Sequence, residues 1–479
     1  MTEKIREIPY GDADFEDIRL NNKYFVDKTR FISLLEKQKY IFLIRPRRFG
    51  KSLWLSILQT YYDIAKKDNF DLFFKGTDIG ENPTDEKNSY LMMRFDFSQV
   101  DSDPETVKHS FEEYCGRVFR NFLKSYKDIF EDDVFNELEK CGGVGDKLDS
   151  ILSYAGLKKL RIYILIDEYD NFANNIIANS GQEAYQDITH GHGFFKHFFA
   201  VLKGGTSQSG SGLGRLFITG VSPITLDDVT SGFNIGDNIS LSSAFNEILG
   251  FTEDEVRNIF EYYKRVSLFN EDMEKCMDIM HQWHDGYIFS EDNSKTLFNT
   301  DMVLYFFKEI LRDQVFPKRL IDHNIRTDYS KLRQLIVINS QLNGNFNYLK
   351  KIIEDRKVIS KVAQSFPLEE LNSPENFVSL LHYFGLLTFH GTEMGESVLQ
   401  VPNMTIWTLM YEYMRKAYNE TNVFRIDIVE LGKFVREMAW LGRWEAFFEF
   451  LAKEIKEQTS IHDYLKGEKI IQGFLLAYL

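Results

Sequence analysis

The stretch RPRRFGKS, from Arg45 to Ser52, decides how the first part of this chain folds. The apolar run Tyr40 to Ile44 leads into it, and a helical pattern from Leu53 to Leu58 leads out of it. This order predicts a strand, a loop and a helix with Gly-Lys-Ser at the helix start, which is the setting that a phosphate-binding loop requires. Backbone N–H groups at a helix N-terminus point toward an anion, and the helix dipole favours negative charge there. The alternative is a basic turn that caps an ordinary strand–helix unit.

The side chains of this loop suit a triphosphate bound together with Mg²⁺. Lys51 would reach the β- and γ-phosphates, and the Ser52 hydroxyl would ligate the metal. The loop departs from the usual pattern at its start, because Arg45 stands where glycine is expected and Pro46 lacks a backbone donor. Two further arginines follow, and arginine can bind phosphate through paired hydrogen bonds.

A second segment, Arg161 to Asp170, supports the same interpretation. It contains an apolar run up to Ile166 and then the two acids Asp167 and Glu168. Such a run predicts a strand buried on both faces of a parallel sheet, and open α/β sheets bind ligands at the carboxyl ends of their strands. Asp167 would hold Mg²⁺, directly or through water, and Glu168 would polarise the attacking water. The alternative is a strand that ends in a solvated acidic turn.

A third predicted strand runs from Leu216 to Ser222 and ends in polar residues. Thr219 or Ser222 could sense the γ-phosphate there. A turn rich in hydroxyl side chains explains the same pattern equally well.

Six segments in a fixed order resemble a known family. They are Phe25 to Thr29, Arg45 to Ser52, Arg94 to Ser98, Ile166 to Asp170, Thr219 to Ser222 and His284 to Tyr287. With them the chain resembles the bacterial AAA-ATPase-like proteins, in which the ATPase is commonly fused to a C-terminal PD-(D/E)XK nuclease-like domain. An arginine in place of the first loop glycine is usual in that family. The family is similar to STAND-type signalling ATPases, which join the ATPase to a helical lid and a winged helix.

The resemblance implies roles for the matching positions. Asp167 would be the Walker B acid and a Mg²⁺ ligand together with Ser52, Glu168 would be the catalytic base, and Lys51 would neutralise phosphate charge. The segment Tyr24 to Thr29 either borders the adenine or packs the N-terminus on the sheet. The residues expected to contact ATP are Arg45, Pro46, Arg47, Arg48, Phe49, Gly50, Lys51, Ser52, Leu53, Thr219 and Ser222.

The length of the chain, 479 residues, exceeds what one hydrophobic core holds. Alternating strands and helices in the first half predict an α/β fold, a P-loop NTPase parallel sheet with helices on both faces. The predicted domains are a P-loop ATPase domain at 1–245, a helical lid at 246–330, a winged-helix-like helical region at 331–440 and, at 441–479, a helical tail that is the start of a truncated nuclease-like domain.

Two local patterns support the later domains. Thr252 and Glu255 match a capping box at the start of the lid. A helical pattern from Asn376 to Phe384 precedes two short strands, Leu386 to His390 and Ser397 to Val401, as in a winged helix. Winged helices bind DNA or serve as protein–protein modules, and in an ATPase of this type we favour a protein partner.

The tail is helical and amphipathic from Glu445 to Leu479. Within it, Gly467 to Leu479 looks like the first helix of the family's nuclease-like domain, and Glu468 matches one acid of its metal site. The strand-borne acid and the Glu-x-Lys pattern that complete such a site have no match downstream. We therefore expect a truncated nuclease-like domain and no nuclease activity from this chain.

Composition limits the remaining classes. A net charge of −15 disfavours broad non-specific binding to nucleic acid, although Lys318–Arg319 and Lys331 to Arg333 are short basic runs. No apolar stretch reaches the roughly 18–20 residues that span a bilayer, and the N-terminus lacks the apolar core of a signal peptide. The 3 cysteines are far apart, which fits a reducing cytoplasm.

The cluster of His190, His192 and His197 is a weak candidate for metal binding. His192 and His197 are five positions apart, which does not put them on one helix face as four would.

The preferred function is a Mg²⁺-dependent, ATP-binding and slowly hydrolysing switch that passes its nucleotide state to the C-terminal region. The alternative is an adaptor that holds ATP or ADP without turnover and binds protein or DNA. A kinase is disfavoured, because the Asp167–Glu168 pair suits the activation of water. A homo-oligomer is compatible with either function.

Overall fold

We describe a computed structural model of the chain. The structure describes residues 5–130, 134, 138, 140–208, 210–230, 236–269, 271–313, 315–322, 324–325, 337–338, 341–342, 344–371, 373–420 and 427–458. The basic run Lys331 to Arg333 and the predicted nuclease-like helix with Glu468 lie outside these residues.

The described chain alternates helices and strands in its first half and is mainly helical afterwards. The strands are β1 (Tyr40–Ile44), β2 (Leu91–Asp96), β3 (Ile162–Asp167), β4 (Leu213–Gly220), β5 (Asp237–Asn238), β6 (Val337–Ile338), β7 (Gln341–Leu342), β8 (Lys357–Ile359), β9 (Thr388–Glu393) and β10 (Glu396–Gln400). The helices are α1 (Phe15–Leu20), α2 (Phe31–Leu35), α3 (Lys51–Tyr62), α4 (Phe70–Phe74), α5 (Asp78–Glu81), α6 (Val107–Ser125), α7 (Val144–Leu157), α8 (Asn171–Thr189), α9 (Phe194–Ser207), α10 (Ile224–Thr230), α11 (Glu253–Arg265), α12 (Met273–His284), α13 (Thr300–Asp313), α14 (Gly344–Asp355), α15 (Pro374–Tyr383), α16 (Met404–Glu420), α17 (Ile428–Leu441) and α18 (Trp444–Gln458).

The main sheet has five parallel strands in the order β2-β3-β4-β1-β5. All six residues of β3 are buried, as its continuous apolar run predicts. Helices cover the sheet, so the predicted α/β class is confirmed. Strand β4 lies between β1 and β3. Because the strands are parallel, the loop after β1 and the acids after β3 lie at the same edge of the sheet, two strands apart.

Phenylalanine rings fill much of the space between the sheet and its helices. Phe95 and Phe97 of the β2 region contact Phe198 of α9 at ring-centroid distances of 5.5 and 5.7 Å, and Phe111 of α6 lies 5.6 Å from the same ring. The rings cross at steep angles, a favourable arrangement for aromatic pairs. This core fixes β2 and β3, and with them the acidic end of the sheet.

Three helices after the sheet, α11, α12 and α13, surround an apolar cluster that includes Val256, Phe260 and Phe307. The predicted capping box at Thr252 is present, because its hydroxyl accepts from the Glu255 backbone and the Glu255 carboxylate accepts from the Thr252 backbone. Further along, α15 is followed by the β9–β10 hairpin, which β8 extends to a three-stranded sheet. The helix and hairpin lie where the sequence predicts them; the winged-helix assignment and the domain limits remain predictions.

The chain divides into two compact units. One comprises residues 1–322 and 358–403, and the other comprises residues 323–357 and 404–479. Within the second unit, α14 and α16 meet through Phe346 and Tyr418, and α17 and α18 meet through Phe434 and Phe450. Among the described residues, we find no helix with the length and apolar character needed to cross a bilayer.

Sequence patterns misjudge some element ends. The glycine- and serine-rich composition from Gly204 to Gly214 predicts one flexible loop, but α9 continues through Ser207 and β4 begins at Leu213. The pattern from Asp27 to Glu36 predicts a short amphipathic helix before β1, and the helix observed there, α2, covers only Phe31–Leu35. Packing explains the first difference, because Gly205 lies against Leu152 and Leu213 at distances that leave little room for a side chain.

Candidate functional site

The loop between β1 and α3 has the backbone shape of an anion-binding turn. Gly50 precedes the first helical residue with a φ of 93°, and Arg48 has a φ of 67°. Glycine adopts this left-handed conformation without the steric cost that a side chain brings. The turn directs the chain so that Lys51 and Ser52 begin α3, where free backbone N–H groups and the helix dipole favour an anion.

The Lys51 ammonium lies inside this loop. Its Nζ donates to the backbone oxygens of Arg45 and Pro46 at 3.1 and 3.0 Å, and the residue is 6% exposed. Burial lowers the pKa of Lys51, while the carboxylates of Glu168 and Asp167 oppose that shift. A buried ammonium held only by neutral carbonyls is poised to exchange them for anionic oxygens.

Ser52 and Asp167 come together from the two predicted motifs. Asp167 ends β3 with 2% exposure, and the Ser52 side chain lies close enough to its carboxylate to lower the pKa of Asp167. Burial raises the pKa of Asp167, and the Ser52 contact and the Arg94 charge lower it in part. A hydroxyl beside a carboxylate is an all-oxygen donor pair that suits Mg²⁺. The residues that would hold this ion are therefore adjacent.

Glu168 directly follows the strand with a φ of 50°, an uncommon value for a residue with a side chain. Its Oε2 accepts a hydrogen bond of 2.7 Å from Asn171 Nδ2 and lies 3.9 Å from Arg47 Nη2. This backbone turn places the Glu168 carboxylate on the same side as Lys51. The strained conformation is typical of functional positions.

Arg94 is a member of this site that the motif-based analysis did not assign. Its Nη2 donates to the Ser52 backbone oxygen at 3.4 Å and lies 3.5 Å from Asp167 Oδ2. It therefore joins β2, β3 and the first turn of α3. The available signal was its place in the Arg94 to Ser98 segment, one of the six segments that carry the family resemblance.

The predicted sensor residues are both buried behind Glu168. No described residue forms a hydrogen bond with the Thr219 hydroxyl, and Ser222 Oγ accepts from the Ile224 backbone at 3.3 Å. Asp170 accepts from the Val221 and Ser222 backbone N–H groups at 3.2 and 2.6 Å. Asp170 thus connects the acidic turn after β3 to the end of β4, a role that only the folded arrangement reveals.

Arg45 and Phe49 point away from the cavity and anchor the loop. The Arg45 guanidinium, 1% exposed, donates to the backbone oxygens of Ser240 and Phe245 and lies 4.3 Å from the Phe289 ring. Burial lowers the pKa of Arg45 to about 9, so the group stays protonated at neutral pH. The Phe49 ring packs edge-on against Tyr287 and Phe289 at 4.9 and 5.2 Å.

The same loop is joined to the start of α13 by hydrogen bonds. Arg48 Nη1 donates to Asp301 Oδ2 at 3.0 Å, and the Asp301 backbone donates to the Arg48 oxygen at 3.2 Å. The Thr300 hydroxyl donates to the Phe49 oxygen at 3.2 Å, and the Gly250 backbone donates to the same oxygen at 3.4 Å. Any movement of the loop is therefore transmitted directly to the helices after the sheet.

A cavity of about 260 Å³ opens over Lys51. Its wall combines the loop with an N-terminal segment and with the helices after the sheet. The lining residues are Pro9, Gly11, Asp12, Ala13, Ile18, Tyr24, Phe25, Val26, Arg48, Gly50, Lys51, Ser52, Leu53, Glu168, Phe251, Thr300, Asp301 and Leu304. The lining combines charged side chains, among them Lys51 and Glu168, with apolar ones, among them Phe25 and Leu304, as a phosphorylated ligand with an aromatic base requires.

The structure divides the predicted site residues into two groups. Those on the cavity wall are Arg48, Gly50, Lys51, Ser52, Leu53 and Glu168, and those behind or beside it are Arg45, Pro46, Arg47, Phe49, Asp167, Thr219 and Ser222. The segment Tyr24 to Val26 also lines the cavity. Sequence reasoning missed Pro9 to Ala13, Thr300 and Asp301, since nothing in their local pattern links them to the loop.

Comparisons with known proteins find a family match over the first part of the chain. Residues 9–230, just under half of the chain, match the family described as "Predicted AAA-ATPase". An uncharacterised protein encoded in the vnfD 5′ region of Azotobacter chroococcum mcd 1 is 26% identical over 325 residues. That alignment covers 66% of this chain, and it spans only 56% of the relative's length.

Two solved structures match most of this chain at low overall similarity. Cdc6p from Pyrobaculum aerophilum has 12% sequence identity and a TM-score of 0.28, with 82% of this chain and 93% of that chain covered. The Aeropyrum pernix Orc1 protein, solved in complex with DNA, has 11% identity and a TM-score of 0.26, with 80% and 91% covered. Over residues 9–230 the chain is thus similar to predicted AAA-ATPases, and that stretch contains both the phosphate-loop motif and the Asp167–Glu168 pair.

Proposed function

We propose that this chain is an ATP-binding, Mg²⁺-dependent ATPase that acts as a switch. The observation that carries the proposal is the approach of Lys51 and Ser52, at the start of α3, to Asp167 at the end of β3, beside an open cavity. Two segments more than a hundred residues apart in sequence contribute complementary charges to one place. A basic turn that merely caps a helix does not require this arrangement.

The chemistry assigned to these groups is electrostatic. Lys51 would leave the two loop carbonyls and bind β- and γ-phosphate oxygens, and Ser52 and Asp167 would hold Mg²⁺, which neutralises phosphate charge when bound. Glu168 would orient a water molecule for attack. Arg47, whose guanidinium lies near Glu168, would meet charge that develops on the γ-phosphate.

The switch function rests on the contacts of the loop with the rest of its unit. Arg48 and Phe49 bind the start of α13. Pro46 packs against Gly385, where an added Cβ would lie 2.9 Å from Pro46 Cγ. A ligand that draws Lys51 away from the Arg45 and Pro46 oxygens would break both of these hydrogen bonds. The loop would then shift against α13 and Gly385, and the change would reach the α15–β10 region.

An adaptor that binds nucleotide without turnover is the second candidate. The hydrogen bond from Asn171 to Glu168 favours it, because a carboxylate held in this way is less free to orient water. Protein or DNA partners at the β9–β10 hairpin, and self-association, are compatible with both candidates.

Three variants separate the candidates. Lys51→Ala should weaken ATP binding at least a hundredfold, because a charge-assisted phosphate contact is lost. Glu168→Gln should keep binding and stop phosphate release. Lys39→Ala, which changes an exposed lysine just before β1, is the matched control and should behave as the unchanged protein.

Binding is measured by equilibrium dialysis with labelled ATP, with and without Mg²⁺, and turnover by phosphate release. ATP binding that survives Lys51→Ala unchanged would refute the site. Binding without any phosphate release from the unchanged protein would favour the adaptor.

A further inference from the structure

We propose that His190, Asp228 and Glu369 form a binding site for a divalent transition-metal ion. The three residues come from separate parts of one compact unit. His190 directly follows α8, Asp228 lies on α10, and Glu369 lies on the short 3-10 turn Leu368–Glu370. Among the described residues, they are a group of metal-ligating side chains whose ligand atoms all lie within 4.8 Å of one another.

The spacing of the ligand atoms is close to that of a bound ion. His190 Nε2 lies 3.8 Å from Asp228 Oδ1 and 3.8 Å from Glu369 Oε1. Nitrogen and oxygen ligands about 2.0–2.2 Å from a tetrahedral ion are separated from each other by roughly 3.4 Å. Binding therefore requires the two distances from His190 to shorten by only a few tenths of an ångström. The two carboxylate oxygens, which lie within 4.8 Å of each other, would approach by at most about 1.4 Å.

The hydrogen bonds around His190 direct its free nitrogen toward the two acids. Thr189 Oγ1 donates its single proton to the Tyr185 backbone oxygen at 2.8 Å, so it accepts from His190 Nδ1 at 2.9 Å. We assign the Nδ1–H tautomer on this basis. The Nε2 lone pair then faces two carboxylate oxygens, an arrangement that a cation between them stabilises.

Both carboxylates are also oriented by neighbours. Tyr185 Oη donates to Asp228 Oδ2 at 2.6 Å, which leaves Oδ1 facing His190. Gln186 Nε2 donates to Glu369 Oε1 at 2.6 Å. Outer contacts of this kind hold ligands in place at metal sites. The end of α8 together with His190, which follows it, thus supplies one ligand and the groups that orient all three ligands.

The donor set indicates the class of ion. One imidazole nitrogen with two carboxylate oxygens suits Zn²⁺, Mn²⁺ and related ions, whereas Mg²⁺ and Ca²⁺ prefer oxygen alone. Side-chain exposures of 39% for His190 and 43% for Glu369 leave a path from solvent. Asp228 is buried and held by its surroundings, whereas the other two ligands remain accessible to solvent.

The competing explanation is a protonated His190 that pairs with both acids without metal. Zn²⁺ is titrated into chelator-treated, nucleotide-free full-length protein against a chromophoric competitor, and Co²⁺ is followed by its visible absorption. The unchanged protein should bind Zn²⁺ at a site that His190→Ala and Glu369→Gln weaken tenfold or more. His192→Ala removes an exposed histidine two positions away and is the matched control.

Two further variants keep the test independent of folding and of the nucleotide site. Glu369→Gln alters a partly exposed side chain, so circular dichroism should be unchanged. Asp167→Asn alters the acid proposed for Mg²⁺ and should leave Zn²⁺ binding intact. The proposal is overturned if the unchanged protein binds no Zn²⁺, or if His190→Ala and Glu369→Gln bind it as tightly as His192→Ala does.

Discussion

The two faces of the loop after β1 differ in what holds them. The cavity face carries Gly50, Lys51 and Ser52, and its ammonium is held by two neutral carbonyls that a phosphate can replace. The opposite face carries Arg45 and Phe49, which are fixed by buried backbone oxygens and aromatic rings. The hydrogen bonds of Lys51 can therefore be replaced by contacts with a ligand, whereas the contacts of Arg45 and Phe49 hold the loop in place. Basic residues in one short motif therefore have different tasks.

The chemistry of the two cations explains the division. A guanidinium presents several donors in a rigid plane, so Arg45 can satisfy separate carbonyls and stack on Phe289 at the same time. An ammonium on a flexible stem can turn from one acceptor to another. Arg45 replaces the glycine of the usual loop and connects the loop to Ser240 and Phe245.

The largest expected effect on stability is at Arg45. Arg45→Met should lower the free energy of unfolding by about 3–5 kcal/mol, because it leaves buried carbonyl oxygens without their donor. Urea unfolding followed by fluorescence measures this change. Arg45→Lys keeps the charge and loses the planar donors, so its free energy of unfolding should lie between those of Arg45→Met and the unchanged protein.

Lys51→Ala is the matched control for that prediction. It removes a cation that lines the cavity, where water can take over its hydrogen bonds to the Arg45 and Pro46 oxygens. It should therefore lower nucleotide affinity and change the free energy of unfolding by less than about 1 kcal/mol. Equal loss of stability in both variants would erase the proposed difference between the faces.

A second prediction concerns His284, a buried residue at the end of α12, and the pH dependence of the free energy of unfolding. His284 Nε2 donates to the Leu320 oxygen at 3.0 Å, and no described residue bonds its Nδ1. Burial lowers the pKa of His284 to about 4, from an ordinary value of 6.5. Between pH 4 and pH 6.5 the unfolded chain binds a proton at His284 that the folded chain excludes. The contribution of neutral His284 to the free energy of unfolding is therefore complete above pH 6.5 and is lost as pH falls toward 4.

The expected loss from this residue alone is about 3 kcal/mol at pH 4. His284→Gln can still donate to Leu320 and should flatten the pH dependence of unfolding between pH 6.5 and 4. His382, whose pKa burial and the Arg45 charge lower to about 3, is a second buried histidine for comparison. Identical slopes for the variant and the unchanged protein would contradict a buried neutral His284.

Sequence patterns identified the cavity face far better than the anchored face. The strands β1, β3 and β4 follow from continuous apolar runs, and Lys51, Ser52 and Asp167 follow from motifs whose residues are neighbours in sequence. The partners of Arg45, at Ser240 and Phe245, and the wall from Pro9 to Ala13 depend on contacts between distant segments, which leave no periodic signal.

The smallest expected effect is at the contact between the loop and α13. Asp301→Asn removes the charge that holds Arg48, whose side chain is 28% exposed, so the interaction is worth about 1 kcal/mol. If the loop must be held in shape to receive phosphate, ATP affinity measured by titration calorimetry should fall about fivefold. Asp313→Asn, which changes an exposed acid at the other end of the same helix, should leave affinity unchanged. Unaltered affinity in Asp301→Asn would mean that the anchored face keeps the loop in shape without this contact, and coupling would then depend on Phe49 and Pro46.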